Sequence, residues 1–394
     1  MAVLENVFNP QPGVIPPVFA GREKQFKVFQ ALISELNDQS PKPSLTVLYA
    51  PRGYGKTSLL RYVREHTREF CKQVGADDTH TVLLTPAKLQ VEKLYQNITE
   101  EQIQQQRSVT TDAGGNFKAT GKIPMSGIEI GGEGGGGVSR TKVSNGAHND
   151  YQQILKRVGE KQPTLLCIDE AHTIELPVLR AFLQSAQQSI GNKVPVSIVL
   201  AGTPGLPKSI DQCKASFASR YELATLNRLS KESSRQAVEG PFKEIGVKLP
   251  EELINVVLDA SEGYPHFLQV YGSSIWDNCL KGSEFDGSRE NLRRSREHFS
   301  KRKNQMFKSR YEEMEREEIL DSAYEVAMKF RGAESLTRKK MRDHLIQCGS
   351  KTASEDIDRL HDLGYIWQSQ PHELEFEKGI PSLMSYVIEN MEKE

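Results

Sequence analysis

An octapeptide between two regular segments constrains this chain more than any other feature. Residues 50–57 read APRGYGKT, after an apolar run at 45–49 and before a helical pattern at 57–65. Gly53 and Gly55 permit a turn whose backbone N–H groups converge on phosphate oxygens. Lys56 adds a positive charge, Thr57 offers a hydroxyl group to Mg²⁺, and the helix N-terminus adds a partial positive charge. The spacing is that of a P-loop with alanine at the usual first glycine, and it predicts a strand–loop–helix unit that binds a nucleotide.

A second apolar segment ends in two adjacent carboxylates. Residues 164–172 read TLLCIDEAH, so a short strand delivers Asp169 and Glu170 at its carboxyl end. Open α/β sheets bind their ligands at that end of the strands. Asp169 is suited to hold Mg²⁺ through its water shell. Glu170 is suited to orient or deprotonate an attacking water.

The pattern over residues 1–228 predicts an α/β domain with a parallel sheet sandwiched by helices. Apolar runs at 45–49, 81–84, 164–168 and 196–200 alternate with helical segments. Continuous apolar strands are expected where helices cover both faces of a sheet. A glycine-rich insertion at 113–147 interrupts the pattern. It indicates either an exposed hairpin or flap, or a loop without a role of its own.

The remainder of the chain is predicted to be mainly helical. Residues 229–305 read as a helical lid followed by a basic connector, and residues 306–394 as a further domain. In that domain three helical segments precede a strand pair near Gly364, which is the order of a winged helix. The predicted helices span 317–330, 337–346 and 354–363.

Length and composition set broad limits. A chain of 394 residues accommodates two or three domains. Its net charge of −1 excludes polybasic binding of nucleic acid by the molecule as a whole. The five cysteines show no C-x-x-C spacing, which argues against a zinc ribbon and fits a reducing compartment. The N-terminus has no signal-peptide pattern and no run approaches the ~18 apolar residues of a membrane span, so a cytoplasmic location is expected.

The P-loop, the Asp169–His172 strand end and the helical segments after it resemble the AAA+ ATPases of the origin-recognition and Cdc6-like branch. The chain is also similar to the related STAND signalling ATPases. The resemblance covers nearly the whole chain and implies ATP and Mg²⁺ as cofactors. It further implies that the segment Phe19-Ala20-Gly21-Arg22-Glu23 lies near the adenine.

The resemblance also implies three further roles. Thr203, at the end of the fourth strand, would be the polar sensor of the γ-phosphate; the alternative is an ordinary Gly-Thr-Pro turn. Arg220 would be the arginine finger that reaches a neighbouring subunit's nucleotide; the alternative is a surface salt bridge. His266 stands where initiator-type lids carry a second sensor arginine. This departure puts strong coupling between lid and hydrolysis in doubt, because a neutral imidazole supplies no permanent charge.

The candidate site residues fall into three groups. The candidate catalytic residues are Glu170, Lys56, Thr203 and Arg220. The candidate nucleotide-binding residues are Ala50, Pro51, Arg52, Gly53, Tyr54, Gly55, Lys56, Thr57, Ser58, Phe19, Gly21, Arg22 and His266. The candidate metal ligands are Thr57 and Asp169.

Duplex DNA is a possible partner through the basic connector at 289–303, although a solvated helix explains the same charges. The third helix of the predicted winged helix, 354–363, is acidic and would meet DNA phosphates with like charge. This charge favours binding to protein or packing on the ATPase domain.

Two functions remain open at this point. The first is an ATPase that hydrolyses Mg-ATP, oligomerises, and remodels or recruits a DNA or protein partner. The alternative is a STAND-type signalling ATPase, in bacterial defence or regulation, that holds nucleotide and releases a protein-binding surface when triggered. His266 and the acidic third helix favour the alternative; Arg220 and the basic connector favour the first.

Overall fold

The computed structural model describes residues 5–90, 93–100, 147–213, 221–369 and 374–393. The predicted insertion at 113–147 lies outside the described residues, except for Ala147, where a helix begins. Arg220 also lies outside them. The predictions made for these two features therefore stay predictions.

A five-stranded parallel sheet forms the centre of the α/β part, in the order β2-β3-β4-β1-β5. Its strands are β1 (Leu45–Tyr49), β2 (His80–Leu84), β3 (Thr164–Ile168), β4 (Val196–Gly202) and β5 (Glu222–Thr225). Every residue of β1, β3 and β4 is buried, which confirms that helices cover both faces. The four strands predicted from apolar runs are present within two residues of their expected ends.

Helices flank this sheet and form most of the remaining chain. Those of the α/β part are α1 (Glu23–Leu36), α2 (Lys56–Glu65), α3 (Thr67–Val74), α4 (Ala147–Lys161), α5 (Leu176–Gly191) and α6 (Leu206–Gln212). Those that follow are α7 (Lys231–Glu244), α8 (Glu251–Ser261), α9 (Pro265–Cys279) and the long α10 (Arg289–Arg316). A short hairpin, β6 (Leu280–Lys281) and β7 (Glu284–Phe285), connects α9 to α10.

The C-terminal part combines four helices with a small antiparallel sheet in the order β8-β10-β9. The helices are α11 (Leu320–Lys329), α12 (Arg338–Gln347), α13 (Ala353–Asp362) and α14 (Leu383–Met391). The strands are β8 (Ser335–Thr337), β9 (Ile366–Trp367) and β10 (Glu375–Lys378). Strand β8, before the second helix, was not predicted. The winged-helix interpretation and the three domain boundaries stay predictions.

The C-terminal part packs directly on the α/β part. Lys208 Nζ of α6 lies 2.9 Å from Asp358 Oδ2 of α13. Gly205, just before α6, approaches the same helix so closely that a Cβ atom there would lie 2.5 Å from Asp362 Oδ1. The acidic helix at 353–362 therefore packs against the α/β part, in agreement with the expectation drawn from its charge. None of the helices in the described ranges is both long and apolar enough to cross a membrane.

The order of the strands brings the predicted site together. Strand β4 lies between β1 and β3, with Tyr49 in register with Gly202 and Ile168 with Leu200. The P-loop follows β1, Asp169 follows β3 and Thr203 follows β4. Three sequence-distant segments thus leave the sheet at one edge.

Candidate nucleotide-binding site

A cavity of about 600 Å³ opens beside the P-loop, a volume typical of small-molecule sites. It lies between the P-loop, the extended N-terminal segment and the helices α9 and α10. Of the candidate residues, those lining it are Phe19, Arg22, Arg52, Gly53, Tyr54, Gly55, Lys56, Thr57, Ser58, Glu170 and His266.

The P-loop turns through two glycines with left-handed backbone angles, Gly53 (φ 81°) and Gly55 (φ 92°). Gly55 is the N-cap of α2, so the helix amides begin at the cavity. The Lys56 ammonium group is buried and donates hydrogen bonds to the backbone oxygens of Ala50 (2.8 Å) and Pro51 (3.1 Å). Burial lowers its pKa to about 8, against the opposing effect of Glu170 and Asp169. Ala50 and Pro51 thus contact the lysine and are not among the residues that line the cavity.

Gly53 is also fixed by a contact with the start of α9. The Tyr264 hydroxyl group, at the N-cap of α9, donates a hydrogen bond to the backbone oxygen of Arg52, 2.7 Å away. A Cβ atom at position 53 would lie 2.0 Å from that hydroxyl oxygen. Glycine at 53 is therefore required by the packing of Tyr264 as well as by the turn.

The two carboxylates after β3 differ in environment. Asp169 is buried, its side chain is hydrogen-bonded to that of Thr57, and it accepts a hydrogen bond from the Glu170 backbone N–H (3.0 Å). Burial raises the pKa of Asp169. Glu170 has a left-handed backbone (φ 53°), and its half-exposed side chain faces the cavity. Such a conformation is unfavourable for a non-glycine residue and is concentrated at functional sites.

A neutral imidazole stands beside Glu170. His172 Nε2 lies 3.6 Å from Glu170 Oε2. Burial, together with the charges of Lys56 and Arg52, lowers the pKa of His172 to about 4. The imidazole is consequently uncharged at neutral pH and forms no ion pair with Glu170.

The N-terminal candidates divide into lining and packing residues. Arg22 is buried and donates hydrogen bonds to the backbone oxygens of Asn227 (2.9 Å) and Tyr54 (3.1 Å), which ties the N-terminal segment to the P-loop. Phe19 lines the cavity. Gly21 is absent from the cavity wall; a Cβ atom there would lie 2.7 Å from Ser233 Oγ of α7, so it permits close packing on that helix.

The remaining candidates are placed as follows. Thr203 is buried directly after β4, but the residues that line the cavity do not include it. His266 lines the cavity, and burial together with Arg302 and Arg310 lowers its pKa to about 4. It is therefore uncharged at neutral pH.

Arg310 is a cavity residue that sequence reasoning missed. It lies on α10, and within the part of the chain that the structure describes its buried Nε has no hydrogen-bond partner. Its guanidinium group pairs with Glu313, whose carboxylate also lies 3.4 Å from Arg52 Nη1 of the P-loop. In the sequence Arg310 stands among the many alternating charges of a long polar helix, so nothing local distinguishes it.

Sequence reasoning also missed the apolar wall of the cavity. Its apolar residues include Pro10, Pro12 and Val14 of the N-terminal segment, together with Leu229, Ala237 and Leu268. Gln269, next to Leu268 on α9, lines the same cavity, and its buried Oε1 accepts no hydrogen bond from the described residues. A largely apolar wall with a free amide oxygen is suited to a flat heterocyclic base.

Comparisons with known proteins agree with this geometry. Residues 40–210 match the protein family described as AAA domain. No curated protein matches the sequence. Among solved structures, the chain is similar to a Walker-type ATPase of Pyrococcus abyssi (16% identity, 97% of this chain and 99% of that one, TM-score 0.61). It is also similar to the ORC2 protein of Aeropyrum pernix in its ADPNP–ADP complexes (13% identity, 98% of each chain, TM-score 0.57). Residues 40–210 thus match the AAA domain family, and the chain has the fold of these two proteins, a Walker-type ATPase and an ORC2 protein.

Proposed function

We propose that this protein binds and hydrolyses Mg-ATP and acts as a nucleotide-dependent switch. One observation carries the proposal. The buried Lys56, Thr57 and the accessible carboxylate of Glu170 line one cavity of suitable volume, and the buried Asp169, which does not itself line the cavity, is hydrogen-bonded to Thr57. These are the groups that phosphoryl transfer needs: a cation for the phosphates, oxygen ligands for a divalent ion and a carboxylate for the water.

Lys56 and the amides at the start of α2 would hold the phosphates. The lysine's hydrogen bonds to Ala50 and Pro51 orient it across the loop before any ligand arrives. The hydroxyl group of Thr57 and the carboxylate of Asp169 fit Mg²⁺, which prefers hard oxygen ligands. When bound, Mg²⁺ supplies charge neutralisation at the β- and γ-phosphates.

Glu170 would orient the attacking water and accept its proton. Its carboxylate faces the cavity, its neighbour His172 is uncharged, and its strained backbone fixes the direction of the side chain. Thr203, buried at the end of the adjacent strand, would respond to the γ-phosphate. That role needs a movement toward the cavity, because Thr203 does not line it.

Arg310 would supply the charge that His266 cannot. Both residues line the cavity, and only the guanidinium group is charged at every physiological pH. A γ-phosphate would compete with Glu313 for Arg310 and thereby change the position of α10. This competition gives the switch a defined trigger.

The partner of the switch is a second part of the proposal. Arg293 and Arg294 of the basic connector pair with Glu290 within α10, and Lys303 packs over the rings of Phe267, Phe299 and Phe307. These contacts engage three of the cations that DNA would need, so we favour a protein partner or self-association, with Arg220 reaching a neighbour's nucleotide. The comparisons give no support to the STAND-type alternative.

Two variants test the enzymatic proposal. Lys56→Ala should weaken binding of ATP at least tenfold, whereas Glu170→Gln should retain binding and lose hydrolysis by about 10²–10⁴-fold. Both are measured by equilibrium binding of a fluorescent ATP analogue and by phosphate release. Glu175→Gln, at the N-cap of α5 outside the cavity, is the matched control. Native turnover in the Glu170→Gln variant would contradict the role of Glu170.

Two further measurements test the partner. The rate of ATP hydrolysis is followed with and without duplex DNA over a series of salt concentrations, and size-exclusion chromatography compares ADP with a non-hydrolysable ATP analogue. We expect no salt-sensitive stimulation by DNA and a larger species with the ATP analogue. Salt-sensitive stimulation would favour DNA, and an unchanged elution volume would count against self-association.

A further inference from the structure

A mixed cluster of nitrogen, sulfur and oxygen atoms lies in the C-terminal part, among residues to which the proposed ATPase assigns no role. Glu325 belongs to α11, His344 to α12, and Cys348 directly follows α12. His344 Nε2 lies 3.1 Å from Glu325 Oε2, Cys348 Sγ lies 3.2 Å from the same oxygen, and the sulfur and nitrogen are 3.8 Å apart. The three ligand atoms, one from each side chain, all lie within 4.8 Å of one another.

The arrangement does not suit a nucleophilic relay. In a cysteine–histidine–carboxylate relay the histidine uses one ring nitrogen toward the sulfur and the other toward the carboxylate. Here the same atom, Nε2 of His344, faces both Cys348 and Glu325. Three donor atoms that converge on one point are instead the arrangement of a metal site.

The spacing and chemistry of the three atoms select the ion. Zinc bonds of about 2.0–2.3 Å in a tetrahedron separate neighbouring ligand atoms by roughly 3.3–3.7 Å. The observed separations of 3.1, 3.2 and 3.8 Å require only small adjustments. Sulfur and imidazole ligands favour Zn²⁺ over Mg²⁺ and Ca²⁺, which prefer oxygen alone.

We propose that Glu325, His344 and Cys348 form a zinc site that joins α11 to α12, with water as the fourth ligand. Three protein ligands leave one position of the tetrahedron open. The ion can enter from solvent, since Cys348 is exposed and the other two residues are only partly buried. The other four cysteines are buried, so Cys348 is the accessible thiol of the chain. The site is independent of the proposed nucleotide chemistry.

The test uses the full chain, stripped of metal with a chelator and free of nucleotide. Zn²⁺ binding is measured by competition with a chromophoric chelator, and Co²⁺ serves as a spectroscopic probe. We expect one Zn²⁺ per chain and a thiolate-to-cobalt charge-transfer band in the near ultraviolet. We also expect Zn²⁺ to raise the unfolding temperature, because it binds only the folded arrangement of the two helices.

Three variants identify the ligands. Cys348→Ser, His344→Gln and Glu325→Gln should each weaken Zn²⁺ binding at least about tenfold, since even the partners of metal ligands are worth about 10–100-fold. Cys348→Ser should also abolish the charge-transfer band and leave ATP hydrolysis unchanged. Asp343→Asn, an exposed acid beside His344, is the matched control and should retain full affinity.

Several results would overturn the site. These are wild-type protein without saturable Zn²⁺ binding, cobalt protein without a thiolate band, and undiminished affinity in Cys348→Ser. The first two readouts use the wild-type chain, so they decide the matter even if a variant fails to fold.

Discussion

The Tyr54 hydroxyl group of the P-loop donates a hydrogen bond to the backbone oxygen of Gly379, 2.6 Å away in the C-terminal part. The tyrosine is fully buried, and its ring lies 5.5 Å from that of Tyr264 and 5.7 Å from that of Trp367, centroid to centroid. Gly364, two residues before β9, approaches Pro51 so closely that a Cβ atom would lie 3.0 Å from Pro51 Cβ. The P-loop is thus held by the C-terminal part on one side and by α9 on the other.

Removing the Tyr54 hydroxyl group should affect stability and nucleotide binding together. Tyr54→Phe leaves the Gly379 oxygen without this donor, so we expect the free energy of unfolding to fall by about 0.5–1.5 kcal/mol. Because the same bond orients the P-loop, ATP affinity should fall by about two- to tenfold. Urea unfolding and equilibrium binding measure the two effects.

Tyr365→Phe is the matched control for that prediction. Tyr365 is also buried and donates a hydrogen bond to a backbone oxygen, that of Ala323, 3.1 Å away. Its loss should destabilise the protein similarly and leave ATP affinity unchanged. Equal effects of both variants on ATP affinity would show that the Tyr54 contact has no specific role in binding.

Neutralising Glu313 should strengthen ATP binding. The carboxylate pairs with Arg310 and approaches Arg52, so it competes with a γ-phosphate for both cations. Glu313→Gln should raise affinity for ATP by about three- to tenfold and change affinity for ADP less. Calorimetric titration with each nucleotide measures this preference.

Glu312→Gln is the control for the Glu313 variant. Glu312 is the exposed neighbour on α10 and lies 3.9 Å from Lys308, away from the cavity residues. The Glu312→Gln variant should bind ATP and ADP as the wild type does. An increase in ATP affinity in the Glu312 variant would mean that the overall charge of α10, rather than competition at Arg310, determines the effect.

Nucleotide binding should weaken at alkaline pH. Burial lowers the pKa of Lys56 to about 8, so the free protein progressively loses this charge above that pH. A triphosphate beside Lys56 favours the charged form of the lysine. Binding above about pH 8 must therefore be accompanied by uptake of a proton, and affinity falls by up to about tenfold per pH unit. The arginine of Lys56→Arg keeps its charge, so the nucleotide affinity of this variant should change little with pH over this range. The same slope in both proteins would contradict the assignment.

Protonation of His361 should contribute to acid unfolding. Its ring is buried, lies 5.5 Å from that of Phe376, and burial lowers its pKa to about 4. The folded pKa lies below the unfolded value of about 6.5, so the neutral form stabilises the fold above pH 6.5. That stability is lost as the pH falls toward 4. His361→Phe should flatten the dependence of the free energy of unfolding on pH over this interval. An unchanged slope would contradict the contribution of His361 to acid unfolding.

Local patterns were sufficient to predict the sheet and the centre of the site. The runs at 45–49 and 164–168 are apolar because helices bury both faces of those strands, and such runs are visible without a structure. The P-loop and Asp169–Glu170 were predictable because each lies within one short segment. Their meeting at one edge followed from the parallel sheet.

On the side of the cavity formed by α9 and α10, only His266 was expected, and that expectation came from the family resemblance and not from a local pattern. Arg310 and Tyr264 reach the cavity only because α9 and α10 pack over the P-loop, and their sequence neighbourhoods resemble an ordinary charged helix and an ordinary helix start. Gly53 shows the same difficulty for a residue that was predicted. Its sequence explanation, the phosphate turn, is incomplete without the Tyr264 contact at Arg52.

The contact of Tyr54 with Trp367 and Gly379 also determines when the site can be completed during synthesis. Gly379, whose backbone oxygen accepts the Tyr54 hydrogen bond, follows Tyr54 by 325 residues in the sequence. Contacts of such long sequence separation form late in folding, after a large loop has closed. A nascent chain therefore carries an exposed Tyr54 ring in its P-loop until Trp367 and Gly379 have emerged, and chains released before that point would lack this contact.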